Sequence, residues 1–384
     1  MLEVFVLMAV AVLLAGLYSR YSCKPTLTEI DSGKNKLSDQ STTANLFYFI
    51  LLICLVCFAG LRTVMNDTGL YIVNFSNIPS ALGEIKNIDW AIGANPLFKV
   101  WQILIKALIS ADSHVFIFLS ALFTVSLSLA FLRKYSQNFT FSVFVFLGLC
   151  VYAFMLAAIK QTMATAIAVW AIPKAWEKKW ISAIVLVLIA VFIHPYVFII
   201  AVAFFLGDNV WDKRTVCILL STVCGVFFIE TVADIASAVT EVLGDNYSSE
   251  GIIGDHGVNI FRLLVYAVVP VLSLIFKNNL RDCQSKIINV SVNCSIIAFC
   301  LMLIAFFANP IVFGRLAGYF DIFICIALPY VLWYGISDSK SRKAIIFIAI
   351  PCFCLFYWKY YSKYGTSLFA DYYHHISLFE LFGG

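Results

Sequence analysis

Residues 4–17, 45–61, 139–159 and 287–308 each run without a single Asp, Glu, Lys or Arg. In lipid such a backbone finds no water for its N–H and C=O groups. It must bond them internally, as helix or as a closed barrel. A barrel would show short segments of alternating polarity between turns, and none is seen. Composition agrees: 62% of the 384 residues are hydrophobic and 12% are charged, against about 25% charged in a soluble domain. A soluble enzyme, a nucleic-acid binder, a disulfide scaffold and a disordered chain are thereby excluded. The expected fold class is all-α, a polytopic integral membrane bundle.

A crossing needs about 20 apolar residues. On that measure twelve spans are expected, near 2–18, 45–61, 115–132, 139–159, 162–173, 180–193, 195–206, 215–230, 261–276, 287–308, 311–334 and 344–357. Three of these (162–173, 180–193 and 195–206) are short, which suits tilted or half-helices bent at a site inside protein. The first span follows no basic n-region and no later cleavage site, so it is expected to be retained.

Lys and Arg set the orientation. Loops 19–44, 133–138, 174–179, 207–214, 277–286 and 335–343 hold 17 of the 26 basic residues. They are expected on the cytoplasmic side, with both termini outside. The pair 180–193 and 195–206 has basic residues at both ends: Lys174, Lys178 and Lys179 before, Lys213 and Arg214 after. One crossing would strand one cluster outside, so a hairpin turning at His194-Pro195 is expected. With no internal repeat or Pro-rich linker, residues 1–357 read as one membrane domain. It includes an outer loop at 62–114 with an amphipathic stretch at 96–110, where Lys99 and Lys106 punctuate apolar residues in the manner of an interfacial helix. An acidic outer loop at 230–260 carries six carboxylates and no Lys or Arg. A tyrosine-rich outer tail follows at 358–384.

Charges in or beside a span are costly and mark functional candidates. In this arrangement Arg62, Lys160, His194, Arg262 and Arg315 gather near the outer face, with Asp67, Tyr71, Tyr319 and Asp321 close by in sequence. Such cations suit a phosphate: Arg offers paired donors and Lys a point charge. His194 titrates near neutrality when unperturbed and is the natural proton carrier. Plainer readings stand beside these. Arg62 and Lys160 also fit snorkelling at helix ends, Arg262 an anchor or a partner of the acidic loop, and His194 a core histidine. Asp67 also fits a partner of Arg62, and Asp321 the buried ion-pair mate of Arg315.

Other chemistries find no support. There is no phosphate-binding Walker loop, G-x-S-x-G elbow or H-E-x-x-H. Cys54-x-x-Cys57 lies mid-span and reads as apolar packing. His374 and His375 are adjacent and would point about 100° apart on a helix, which is poor for one metal. Asn66-Asp67-Thr68 fits a glycosylation sequon, a pattern common by chance.

Four patches in order resemble the EpsG family of Wzy-like bacterial polysaccharide polymerases. The first is Phe58-Ala59-Gly60-Leu61-Arg62 followed by Asn66-Asp67 and Tyr71. The second is Pro96-Leu97-Phe98. The third is Ala158-Ile159-Lys160-Gln161-Thr162-Met163-Ala164, then a basic loop and Phe192-Ile193-His194-Pro195. The fourth is Phe313-Gly314-Arg315-Leu316-Ala317-Gly318-Tyr319-Phe320. The chain departs from the family pattern in Lys160, where arginine is commoner, and Thr68, where an aromatic is expected.

The resemblance implies a GT-C-like polymerase of the bacterial inner (cytoplasmic) membrane, its site facing outside. Such an enzyme moves a growing glycan from its undecaprenyl diphosphate onto a new lipid-linked repeat unit. It uses no cofactor, metal or nucleic acid, and a chain-length regulator and a flippase are expected partners. On this reading Arg315 and Arg62, helped by Lys160, bind the leaving diphosphate. His194 is the first choice for handling the acceptor hydroxyl and Asp67 the second, with Tyr319, Arg262 and Tyr71 as further substrate contacts. A ligase-like glycan transferase with the same donor and a different acceptor is the alternative within the enzyme class. A lipid-linked oligosaccharide flippase or transporter is the alternative outside it, and would more often show repeats and charges leading to both faces.

Overall fold

The computed structural model describes residues 2–23, 25–32, 40–63, 65–245, 247–254, 257–368 and 376–383. His374 and His375, with the tail tyrosines 372 and 373, lie outside the described residues. The described chain is all-α, with no strand among the described residues.

Among the described residues, five helices are long and apolar enough to cross a membrane: Glu3–Tyr21, Thr42–Gly60, Ser113–Tyr135, Lys286–Phe307 and Ser339–Tyr360. The shorter apolar helices are Trp180–Ile193, Pro195–Phe205, Ile260–Ile275 and Asp321–Gly335. Two further segments are broken. The expected continuous span at 139–159 is Phe139–Gly148 followed by Val151–Ala157, bent by 51°. The bend falls at Cys150, whose φ of 63° is left-handed and cannot continue a helix. Likewise Lys213–Phe227 ends where Ile229–Val242 sets off at 105°, so the start of the acidic segment is a helix of its own.

The core is built on Lys286–Phe307, Phe139–Gly148 and Asp321–Tyr330; the last is buried at every position and Phe139–Gly148 at all but Thr140. Asn293, inside the core, has the partners that apolar surroundings require. Asn293 accepts from the Trp211 N–H at 3.1 Å and donates to the Asn209 carbonyl at 2.9 Å.

The hairpin expected at His194-Pro195 is present. Trp180 begins one arm and Phe204 lies near the end of the other, and their rings pack edge to face at 6.1 Å. His194 has extended backbone, φ −153° and ψ 112°, as proline imposes on the residue before it.

The six basic loops meet at one end of the bundle. Arg281 donates to the carbonyls of Val210 and Trp211 at 2.8 and 2.9 Å, and Asp31 accepts from the Ile287 N–H at 2.9 Å. Tyr334 donates to Gln137 at 3.2 Å, Tyr135 packs on Trp176, and Arg342 lies over Trp333.

The opposite end carries Thr68–Asn77 and Pro96–Leu108. Here Lys106 does more than punctuate an amphipathic stretch. Its ammonium donates to the carbonyls of Phe75, Ser76 and Ile78 at 3.1, 2.8 and 2.7 Å. Those carbonyls are at the end of Thr68–Asn77, where a helix leaves acceptors unbonded and a cation is favoured.

Candidate active site

At that second end the core chain breaks. After Phe307 it turns, forms the short helix Phe313–Ala317, and enters Asp321–Tyr330. The short helix carries Arg315, which is exposed. Its carbonyl accepts from Gln161 Nε2 at 2.7 Å, so backbone rather than guanidinium anchors the segment. Gly318 permits this closeness: a Cβ there would stand 3.1 Å from the Arg315 carbonyl oxygen and 3.3 Å from Phe154.

One turn later Tyr319 is buried, with its hydroxyl 2.9 Å from His194 Nδ1. The hairpin apex therefore brings the histidine to the arginine segment across 125 residues of sequence. The next residue but one, Tyr196, donates to Asp245 Oδ2 at 2.7 Å. Asp245 comes from the acidic segment. Gly244, with φ +90°, turns the chain there, and its backbone lies against Gly93 of the other outer segment. A Cβ on Gly93 would fall 2.5 Å from the Leu243 carbonyl oxygen, a contact no side chain tolerates. Gln161, His194, Tyr196, Asp245, Arg315 and Tyr319 line a cavity of about 80 Å³.

Lys160 stands beside this cavity. Its backbone N–H meets the Tyr71 hydroxyl at 3.4 Å, and its ammonium is within electrostatic range of Asp245, Lys99, Asp67 and Arg315. Asp67 occupies the N-cap position of Thr68–Asn77 without a side-chain capping bond.

Two charged residues lie away from that cavity. Arg62 is 2% exposed and does not face the cavity. Its guanidinium donates to the carbonyls of Ala59 and Leu156 and to Thr68 Oγ1. Ala59 and Leu156 lie in the last turns of Thr42–Gly60 and Val151–Ala157, where carbonyls have no helical partner. Arg62 thus joins two helix ends. Arg62→Met strands those buried acceptors, each at about 1–3 kcal/mol. We expect a marked drop in thermal stability and in the amount of inserted protein. Unchanged melting with loss of activity would instead return Arg62 to substrate binding.

Asp321 is the second. It is not the mate of Arg315: it is buried, and its polar neighbours are Tyr266 and Arg262. These three, with Arg315 at the rim, line a separate cavity of about 200 Å³. Arg262 is therefore near Arg315 but on its other side from His194.

The sequence pattern that defines the EpsG family matches residues 45–374. The chain belongs to the EpsG family. Comparison with curated proteins and with solved structures finds no match. Membership supports a polysaccharide-polymerase type of role, glycosyltransferase-like, in a membrane protein. Within this EpsG-family chain, the patches around residues 160, 194 and 315 converge on one cavity, whereas the patch ending at Arg62 joins two helix ends. Sequence reasoning passed over Gln161 as a contact and missed Tyr196 and Asp245. Asp245 was one of six carboxylates in its segment; its position after a glycine was the available signal. Among the described residues no group of three His, Cys, Asp or Glu side chains is placed to hold a metal ion.

Proposed function

We propose that this chain polymerises polyprenyl-diphosphate-linked oligosaccharide repeat units at the outer leaflet of a bacterial cytoplasmic membrane. The observation that carries this reading is the meeting of Arg315, Lys160, His194, Tyr319 and Asp245 at the end of the bundle opposite all six basic loops. By the bias of Lys and Arg toward the cytoplasm, that end faces outward. There it meets lipid carriers rather than nucleotide sugars.

The reaction is a direct glycosyl transfer. A hydroxyl oxygen of the acceptor repeat attacks the anomeric carbon of the donor, and the bond from that carbon to the diphosphate breaks. The diphosphate leaves with the electron pair, and Arg315 and Lys160 neutralise its growing charge. In the tautomer that carries its proton on Nδ1, toward the Tyr319 hydroxyl, His194 leaves the Nε2 lone pair to take the acceptor's proton. Asp67 is the second choice for that proton, and Tyr71 positions Lys160. A flippase would deliver the substrates, and a chain-length regulator would act on the product.

Glycan analysis of a deletion strain tests this. The expected result is single repeats on the carrier in place of long chains. Long polymer accumulating on the carrier lipid would indicate a ligase and overturn the polymerase reading. Failure of any repeat to reach the outer leaflet would indicate a flippase.

A further inference from the structure

The larger cavity, beyond Arg315, has no role in the proton transfer above, yet it is built as a polar site. Its volume of about 200 Å³ is several times the roughly 30 Å³ share of one water. Asp321 lines it, 5% exposed, and Oδ1 has no hydrogen-bond partner among the described residues. A carboxylate oxygen held without a donor in an apolar bundle is costly. A ligand hydroxyl would satisfy it. Tyr266 is a polar neighbour of both Asp321 and Arg262. Arg262 also lies over the Tyr266 ring at 5.9 Å. Phe154 and Tyr360 supply aromatic faces to the same space.

Resting on the polymerase reading, we infer that this cavity is the donor subsite. It receives the sugar bonded directly to the carrier diphosphate, with a ring hydroxyl donating to Asp321 Oδ1 and the diphosphate between Arg315 and Arg262. The opposite, His194 side of Arg315 then takes the acceptor. Two observations favour the donor here. The two guanidiniums that flank this cavity match a diphosphate, whereas the smaller cavity offers the histidine and Asp245. In addition, a third cavity of about 120 Å³ shares Arg262, Pro310, Phe356 and Tyr360 and continues past Phe261 to Lys359. It borders the peripheral helix Ser339–Leu368, where Leu355 and Trp358 are exposed. That route lets a polyprenyl tail pass sideways into lipid while its headgroup stays at Arg262.

The test is equilibrium binding to the full chain in nanodiscs, without acceptor. It compares polyprenyl diphosphate lacking sugar with the same carrier bearing one native sugar. Wild type should prefer the sugar-bearing carrier by tenfold or more. Asp321→Ala should erase that preference and leave the affinity for the sugar-free carrier within twofold. Asp321→Asn serves if the alanine variant does not accumulate, and Tyr266→Phe should lower the preference in the same sense with a full-length hydroxyl-free ring. Arg262→Gln should weaken both carriers alike. The inference is overturned if Asp321 and Tyr266 variants keep the wild-type preference, or lose both carriers equally. If wild type binds neither carrier, the polymerase reading fails as well, so the two failures are told apart.

Discussion

Arg315→Ala is expected to abolish long polymer while the protein still inserts at normal levels. The guanidinium is exposed and stands at the junction of the two cavities. The fold uses the residue through its carbonyl, which holds Gln161, and alanine keeps that carbonyl. What is lost is the charge opposite the departing diphosphate. Removing one preorganised donor to a developing anion costs about 10²–10³ in rate; for a processive product this leaves single repeats. Arg315→Lys should recover part of the activity, since an ammonium keeps the charge and loses the paired donors. Immunoblotting of membranes beside a polymer-length gel separates the two readouts. Wild-type chain length from the alanine variant would defeat the assignment of Arg315 to the leaving group.

His194→Ala is expected to lower the rate of transfer by about 10²–10⁴, the range for a lost acid–base group. The imidazole is the titratable ring on the acceptor side, and Tyr319 is placed to fix its tautomer at 2.9 Å. Tyr319→Phe should therefore be milder, weakening orientation without removing the ring. A structural explanation makes the opposite forecast: alanine at the hairpin apex would reduce inserted protein, with activity per molecule unchanged. Specific activity per inserted molecule decides between them. Normal turnover by His194→Ala would pass the proton to Asp67 or to Asp245, whose carboxylate already meets Tyr196.

Much of the architecture was legible from local features. Uncharged runs locate the helices because lipid forces the backbone to bond itself. Charge flanking both ends of 180–206 called for a hairpin, and Trp180 against Phe204 shows it. The six basic loops that were assigned to one side from Lys and Arg content lie at one end of the bundle. Single charged residues near that end could be named from the sequence, but not the arrangement they take.

Arg62 shows why. In sequence it was a cation at a helix end, free to serve a phosphate. Its fate depends on the Leu156 carbonyl, 94 residues away, which is unbonded because the helix Val151–Ala157 stops there. Asp321 was matched to Arg315 by proximity along one span, yet Tyr266 and Arg262 arrive from another helix. Asp245 reaches Tyr196 and the cavity that His194 lines because Gly244 and Gly93 let two outer segments touch backbone to backbone. Hydropathy and charge are properties a chain carries residue by residue, so membrane residence, helix positions and loop grouping could be read without coordinates. Which donor meets which acceptor depends on where helices break and which breaks come to face one another. Those encounters exist only once distant segments have packed.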